Sequence, residues 1–189
     1  MKTLPTNLFR SFICAALLCA SLCLALASAQ VTQANDDDCQ APYLPTPLCN
    51  DVQVPAGHKV ASHVYAQGVQ IYRWDGASWV FVAPSADLFA DAGYRHKVGT
   101  HYGGPTWESK NGSKVIGSRV AGCAPNATAI PWLRLKAVST SNFGIYKKVT
   151  FIQRVNTAGG LAPTMPGTAI DEVVEVPYTT EYYFYRAED

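Results

Sequence analysis

The densest gathering of chemistry-bearing residues in the chain is His101-Tyr-Gly-Gly-Pro-Thr-Trp-Glu-Ser109. An imidazole, a phenol, a carboxylate and a hydroxyl flank a Gly-Gly-Pro bend, where glycine lets backbone N–H groups approach a ligand. With His101 as base and Glu108 as acid, the pair suits proton transfer, provided both reach one cleft. Tyr102 and Trp107 join them as ligand-binding candidates. The same run also reads as an ordinary turn in which Gly103, Gly104 and Pro105 fix the backbone, Trp107 enters the core and His101 bonds a carbonyl. This plainer reading is preferred, because a density of polar groups does not by itself make a reacting geometry.

A second candidate is Arg154 with Asn156 and Thr157 ahead of Gly159-Gly160. An arginine at a strand end beside a Gly-rich loop suits a carboxylate or a phosphate. It suits equally an internal ion pair with Asp87, Glu108 or Glu172 that pins the loop, and that reading is preferred. The histidines His58, His63, His96 and His101 lack the close spacing of a zinc or copper pair, so no metal and no cofactor is expected. No Gly-x-Ser-x-Gly elbow accompanies Ser85, Ser109 or Ser113. Asp87, Glu108 and Glu172 are the carboxylates best placed for glycoside cleavage, without a specific signal. Near the C-terminus Tyr182 and Phe184 alternate with Tyr183 and Tyr185. One of those faces is core; the other is either a stacking strip for sugar rings or ordinary strand packing, the latter preferred.

These residues need a scaffold, and the hairpin Gln67 to Ala83 is its most decided part. Val69, Ile71 and Arg73 alternate with Gln70, Tyr72 and Trp74, then Trp79 and Phe81 with Val80 and Val82, around a turn at Asp75-Gly76. One or two strands precede it from Val54. Pro84 to Ala92, with Ser85 placed as an N-cap and Leu88 and Phe89 as an apolar face, predicts one or two helical turns. Further strands are predicted at Arg95 to His101, Thr106 to Ser109, Lys114 to Val120, Trp132 to Val138, Tyr146 to Val155, Val173 to Val176 and Glu181 to Tyr185, with a long Gly/Pro-rich loop over Thr157 to Thr168. About nine or ten short strands with one short helix predict an all-β domain, a single antiparallel sandwich or a barrel.

Residues 1–29 read as a signal peptide: Lys2 and Arg10, an apolar run from Phe12 to Leu26, and Ala27-Ser-Ala29 as the cleavage site. The apolar run is shorter than the roughly 20 residues a membrane span needs. Its removal leaves 160 of the 189 residues, takes away two basic and no acidic side chains, and brings the net charge to −1. With no basic stripe, nucleic acid is not an expected partner, nor is a membrane span expected in the processed chain. Residues 30–50, with Asp36-Asp-Asp38, Pro42, Pro45 and Pro47, read as an extended arm, and 51–189 as one domain. Cys39, Cys49 and Cys123 remain. Secretion permits one disulfide among them, Cys39–Cys49 being preferred over a bond from Cys123 to either. Asn111 and Asn126 open N-glycosylation sequons.

The hairpin Gly68-Val-Gln-Ile-Tyr72 with Trp79-Val-Phe81, then Pro84-Ser-Ala-Asp-Leu-Phe89, His101 to Ser109, Ile130-Pro-Trp-Leu133, Val149-Thr-Phe-Ile-Gln-Arg-Val-Asn-Thr157 and Tyr182-Tyr-Phe-Tyr185 together resemble DUF3455 over roughly Val54 to Tyr185. This is a family of small exported proteins of bacteria and fungi. The resemblance implies no assigned function. Some fungal members are labelled malate dehydrogenase, but the chain has no Gly-x-Gly-x-x-Gly after a strand and no βαβ alternation to support nicotinamide binding. Bacterial members often carry one cysteine after the Gln-Ile-Tyr strand and another after the Gly-Gly loop. Here Trp74 and residues around Met165 stand there, which implies a looser loop at Ala158 to Thr168.

The expected function is non-enzymatic binding of a small molecule, a glycan or a surface partner, near His101 to Glu108 and the loop Ala158 to Thr168. The alternative is a hydrolase-like enzyme built on His101 and Glu108. A partly exposed His101 sharing a pocket with Glu108 distinguishes the second from the first.

Overall fold

In the computed structural model, which describes residues 40–188, the chain forms a closed barrel of eight antiparallel strands, each paired with its neighbours in sequence and the last with the first. The strands are β1 (His58–Trp74), β2 (Trp79–Phe89), β3 (Lys97–Tyr102), β4 (Thr106–Ser109), β5 (Lys114–Cys123), β6 (Trp132–Thr140), β7 (Val149–Gly159) and β8 (Val173–Ala187). Closure leaves no open sheet edge, which two separate sheets would have had. The residues read as a signal peptide lie outside the described part of the chain.

The β1–β2 hairpin turns where Asp75-Gly76 predicts it. Asp75 Oδ1 accepts from the N–H groups of Ala77 and Ser78 at 2.8 and 2.7 Å, and Gly76 takes a φ of +97°. Helical turns over Pro84 to Ala92 do not form; Pro84 to Phe89 is the second half of β2, and residues 90–92 bend towards β3. Pro84, Ala86 and Leu88 are buried while Ser85 is exposed, so the run follows the strand period of two rather than a helical one. The interior calls for Ala86 and Leu88 every second residue, and this outweighs the capping preference of Ser85. The only helical element among the described residues is a 3-10 turn at Asn50–Val52. The two short C-terminal strands are likewise one, β8, which runs on through Pro177.

Alternation along each strand divides the side chains into two cores. Val64 and Ala66 of β1, Leu88, Trp107, Val115, Leu135, Ile152, Tyr182 and Phe184 fill the lower lumen, with Tyr146 and Val149 beside them. On the outer wall, Val155, Tyr183 and Tyr185 are covered by Leu44, Cys49, Val52 and Val54. The described part of the N-terminal arm is thus packed down rather than loose. Gln153 Nε2 donates to the Val52 carbonyl at 2.6 Å, and a disulfide joins Cys49 to Cys123. That bond replaces the expected Cys39–Cys49 pairing: burial of Leu44 and Val52 on the wall carries Cys49 to the end of β5. Tyr183 and Tyr185 therefore offer no open stacking strip. Tyr183 instead stacks on His63 at 4.0 Å, and Glu181 accepts from His63 and from the Tyr183 hydroxyl.

Antiparallel order puts four connections at one end of the barrel: the β1–β2 turn, Gly103-Gly-Pro105, the β5–β6 segment and the β7–β8 loop. The last is well tied. Trp79 Nε1 donates to the Met165 carbonyl at 2.9 Å, Asp171 N–H to the Trp74 carbonyl at 2.9 Å, and the Tyr72 hydroxyl to the Gly160 carbonyl at 2.7 Å. A Cβ on Gly167 would lie 2.4 Å from the Trp74 ring. Trp74 and Trp79 thus hold the loop where looseness was expected.

Candidate functional site

At this end the lumen is not filled. A cavity of about 240 Å³ is bounded by Gln70, Phe81, Val82, Pro84, His101, the bend Gly103 to Pro105, Trp107, Arg119, Leu133, Leu135, Arg154 and Tyr182. An adjoining recess shares Gln70, Phe81, Arg119, Leu133 and Arg154 with it. A cavity near 150 Å³ already accepts benzene, so this one has room for a substituted ring or a short branched chain.

The pairing of β3 with β4 decides which predicted residues meet. His101 lies opposite Trp107, and Tyr102 opposite Thr106. Because successive side chains point to opposite faces, His101 and Trp107 enter the lumen together while Tyr102 and Glu108 go to the outer surface. There the Tyr102 hydroxyl donates to Glu108 at 2.8 Å and Lys114 stands 3.2 Å from the same carboxylate. These two partners hold Glu108 below the usual carboxylate range. The wall separates His101 from Glu108, so the geometry does not assemble the acid–base pair.

His101 is 3% exposed and donates from Nδ1 to the Thr106 carbonyl at 2.8 Å; the carbonyl can only accept, which puts the proton on Nδ1 and leaves Nε2 as an acceptor. Its ring stacks on Trp107 at 4.4 Å and meets Tyr182 edge-on at 5.1 Å. Burial pulls its pKa down to about 3; the Thr106 carbonyl opposes the shift and the Arg154 charge adds to it. The unfolded chain protonates near 6.5, so between that pH and about 3 the unfolded state binds a proton that the folded state refuses. Stability from this group is complete above pH 6.5 and falls as the pH drops, approaching about 1.4 kcal/mol per pH unit. Urea unfolding between pH 6.5 and about 4.5, a window above most carboxylate titration, should therefore show a steeper loss for wild type than for His101→Gln. Parallel curves would mean that His101 protonates readily in the folded protein.

Arg154 reaches the cavity from β7. Its Nε and Nη2 donate to the Pro131 carbonyl at 3.1 and 2.7 Å, and none of Asp87, Glu108 or Glu172 pairs with it. Asp87 instead pairs with Lys97, and Glu172 accepts from Thr168. The expected loop-pinning ion pair is replaced by a bond to backbone, because β7 places Arg154 on the lumen side next to Tyr182. Thr157 is also structural in its contacts, its hydroxyl donating to the Ile130 carbonyl at 2.6 Å. Gly160 packs against Gln70 and Tyr178, and the loop beyond it lies on the hairpin tip rather than over His101. Asn111 and Asn126 sit on exposed turns well apart in the chain, each accepting from a sequon residue that follows it.

Gln70, Arg119, Leu133, Leu135 and Tyr182 join the cavity without having been singled out as site residues. For Gln70 a signal existed: it shares the inward face of β1 with Val64, Ala66 and Tyr72, where a polar amide stands among largely apolar neighbours. Arg119 carries no comparable mark. Three lining residues bury polar atoms that make no hydrogen bond of good geometry in the described protein, Gln70 Nε2, Trp107 Nε1 and the Tyr182 hydroxyl, although Tyr178 lies close to Gln70 and to Tyr182, and Arg154 to Tyr182. Burial also raises the Tyr182 pKa, which keeps the phenol protonated. Among the described residues, no three His, Cys, Asp or Glu side chains gather as a metal site, and no helix is long and apolar enough to cross a membrane.

No curated protein and no solved structure matches the chain. The family model described as a protein of unknown function, DUF3455, matches residues 55–186, which takes in all of β1 to β7 and all of β8 but Ala187. With the whole barrel cavity inside that match, the chain belongs to the DUF3455 family.

Proposed function

We propose that the protein is a non-enzymatic binding protein that takes a small, largely apolar molecule into the open end of its barrel. The observation that carries this reading is a mainly apolar cavity, open at one end, whose wall holds three buried polar groups with no hydrogen bond of good geometry. Buried donors are ordinarily satisfied, and each left unmatched costs about 1–3 kcal/mol, so a ligand bearing acceptors is the natural complement. A concave cavity of this size favours a small molecule over a glycan chain or a protein surface, which would need a broader face. Export to an oxidising compartment fits the Cys49–Cys123 bond and the apolar leader, and would place this binding outside the cytoplasm.

Native mass spectrometry of the protein from its own source tests the reading. The expected result is a retained small molecule that is released on denaturation. Leu133→Trp, which fills the cavity from β6, should abolish retention while the barrel stays folded. Retention unchanged by Leu133→Trp would place the ligand elsewhere and overturn the proposal.

A further inference from the structure

We infer that the molecule bound in the lumen is an organic anion, a small carboxylate in the first instance, with Arg154 as its principal counter-charge and Arg119 assisting from the rim; this rests on the lumen being the binding site. Both arginines line the cavity, and no aspartate or glutamate does. Among the described residues neither makes a salt bridge, as is also true of Arg134 and Arg186, which bond backbone carbonyls away from the cavity. Arg154 is partly buried and is oriented by a carbonyl, a bond that fixes the guanidinium without neutralising it. A charge held this way is poorly compensated until an anion arrives.

The rest of the wall agrees in sign. His101 is neutral, the Trp107 indole N–H has no acceptor in the described protein, and the Gln70 amide and the Tyr182 hydroxyl, beside Tyr178, make no hydrogen bond of good geometry. Apart from His101 Nε2, which can only accept, the lining combines two cations with donors and no carboxylate, a set suited to a group that accepts. Phe81, Val82, Leu133 and Leu135 supply an apolar wall that suits the remainder of the molecule. A guanidinium fork matches a carboxylate in shape as well as charge.

Matched acid and amide pairs test the inference: benzoate with benzamide, 4-hydroxybenzoate with 4-hydroxybenzamide, and hexanoate with hexanamide, titrated calorimetrically into the full protein at low and high salt. Each acid is expected to bind about tenfold or more tightly than its amide, as hydrogen bonds to a charged group imply. The preference should shrink with salt and collapse towards unity in Arg154→Gln, with amide binding little changed. Arg154→Lys should keep part of it. Arg119→Gln, at an exposed position, gives a second reading if Arg154→Gln does not fold, and should reduce the preference several-fold. Equal binding of acids and amides, both lost in Leu133→Trp, would overturn the anion inference and leave the lumen site standing. Binding of no pair by the wild type would overturn both.

Discussion

Trp107→Ala should destabilise the protein by about 3–5 kcal/mol, the loss usual for emptying a large aromatic site in a core. Trp107 is 1% exposed and sits among the rings of the lumen: the His101 ring stacks on it, and Tyr182 and Phe184 meet it edge-on at 5.2 and 6.0 Å. Space for the indole is reserved by Gly117, where a Cβ would stand 3.1 Å from the ring. Strands are too firmly paired on both sides of β4 to move in and close the hole. Trp107→Phe should cost much less. It retains a ring against His101, and the indole N–H it removes has no protein acceptor to strand. Urea denaturation of the two variants measures the contrast. Equal losses would show that the indole N–H is engaged after all and that the cavity wall has fewer open donors than the geometry assigns.

The contrast between His101 and Glu108 shows where sequence was informative and where it was not. Both stand in one dense run and either could be given a chemical role, yet the parity of their positions in β3 and β4 sends them to opposite sides of the wall. Parity is legible only once the register between the strands is known, and the Gly-Gly-Pro turn does not reveal that to a reader of the sequence. The Asp75-Gly76 hairpin was legible because its turn chemistry is local: the carboxylate and the glycine are all that the bend requires. The helical turns that Pro84 to Ala92 predicts fail for the converse reason, since the strand character of Pro84 to Phe89 comes from the lumen it faces and not from its own residues. Barrel closure rests on the pairing of β1 with β8, more than a hundred residues apart, and no local pattern encodes it. The cavity follows from closure, so Arg119 and Tyr182 become neighbours of Arg154 only in three dimensions.

Loss of the Cys49–Cys123 bond should lower stability by about 4 kcal/mol, on the loop-closure account for a bond spanning 74 residues. The bond fastens the arm to the end of β5, outside the barrel, where Leu44, Val52 and Val54 cover Val155, Tyr183 and Tyr185. Cys49→Ala with Cys123→Ala removes the cross-link without leaving a thiol at either position, and chemical denaturation of the double variant reads the cost. A sheet closed on itself does not need the arm for its strand pairing, so the folded double variant should retain the lumen and its acid-over-amide preference. The arm should exchange its backbone amides faster, beginning with Gln53, whose N–H bonds the Asn50 carbonyl in the 3-10 turn beside Cys49. A double variant within about 1 kcal/mol of wild type would mean that the buried face of the arm, rather than the covalent tie, holds it to the wall. A variant that lost ligand preference along with stability would mean instead that the outer layer shapes the lumen through β7, the strand that carries Gln153 and Val155 outward and Arg154 inward.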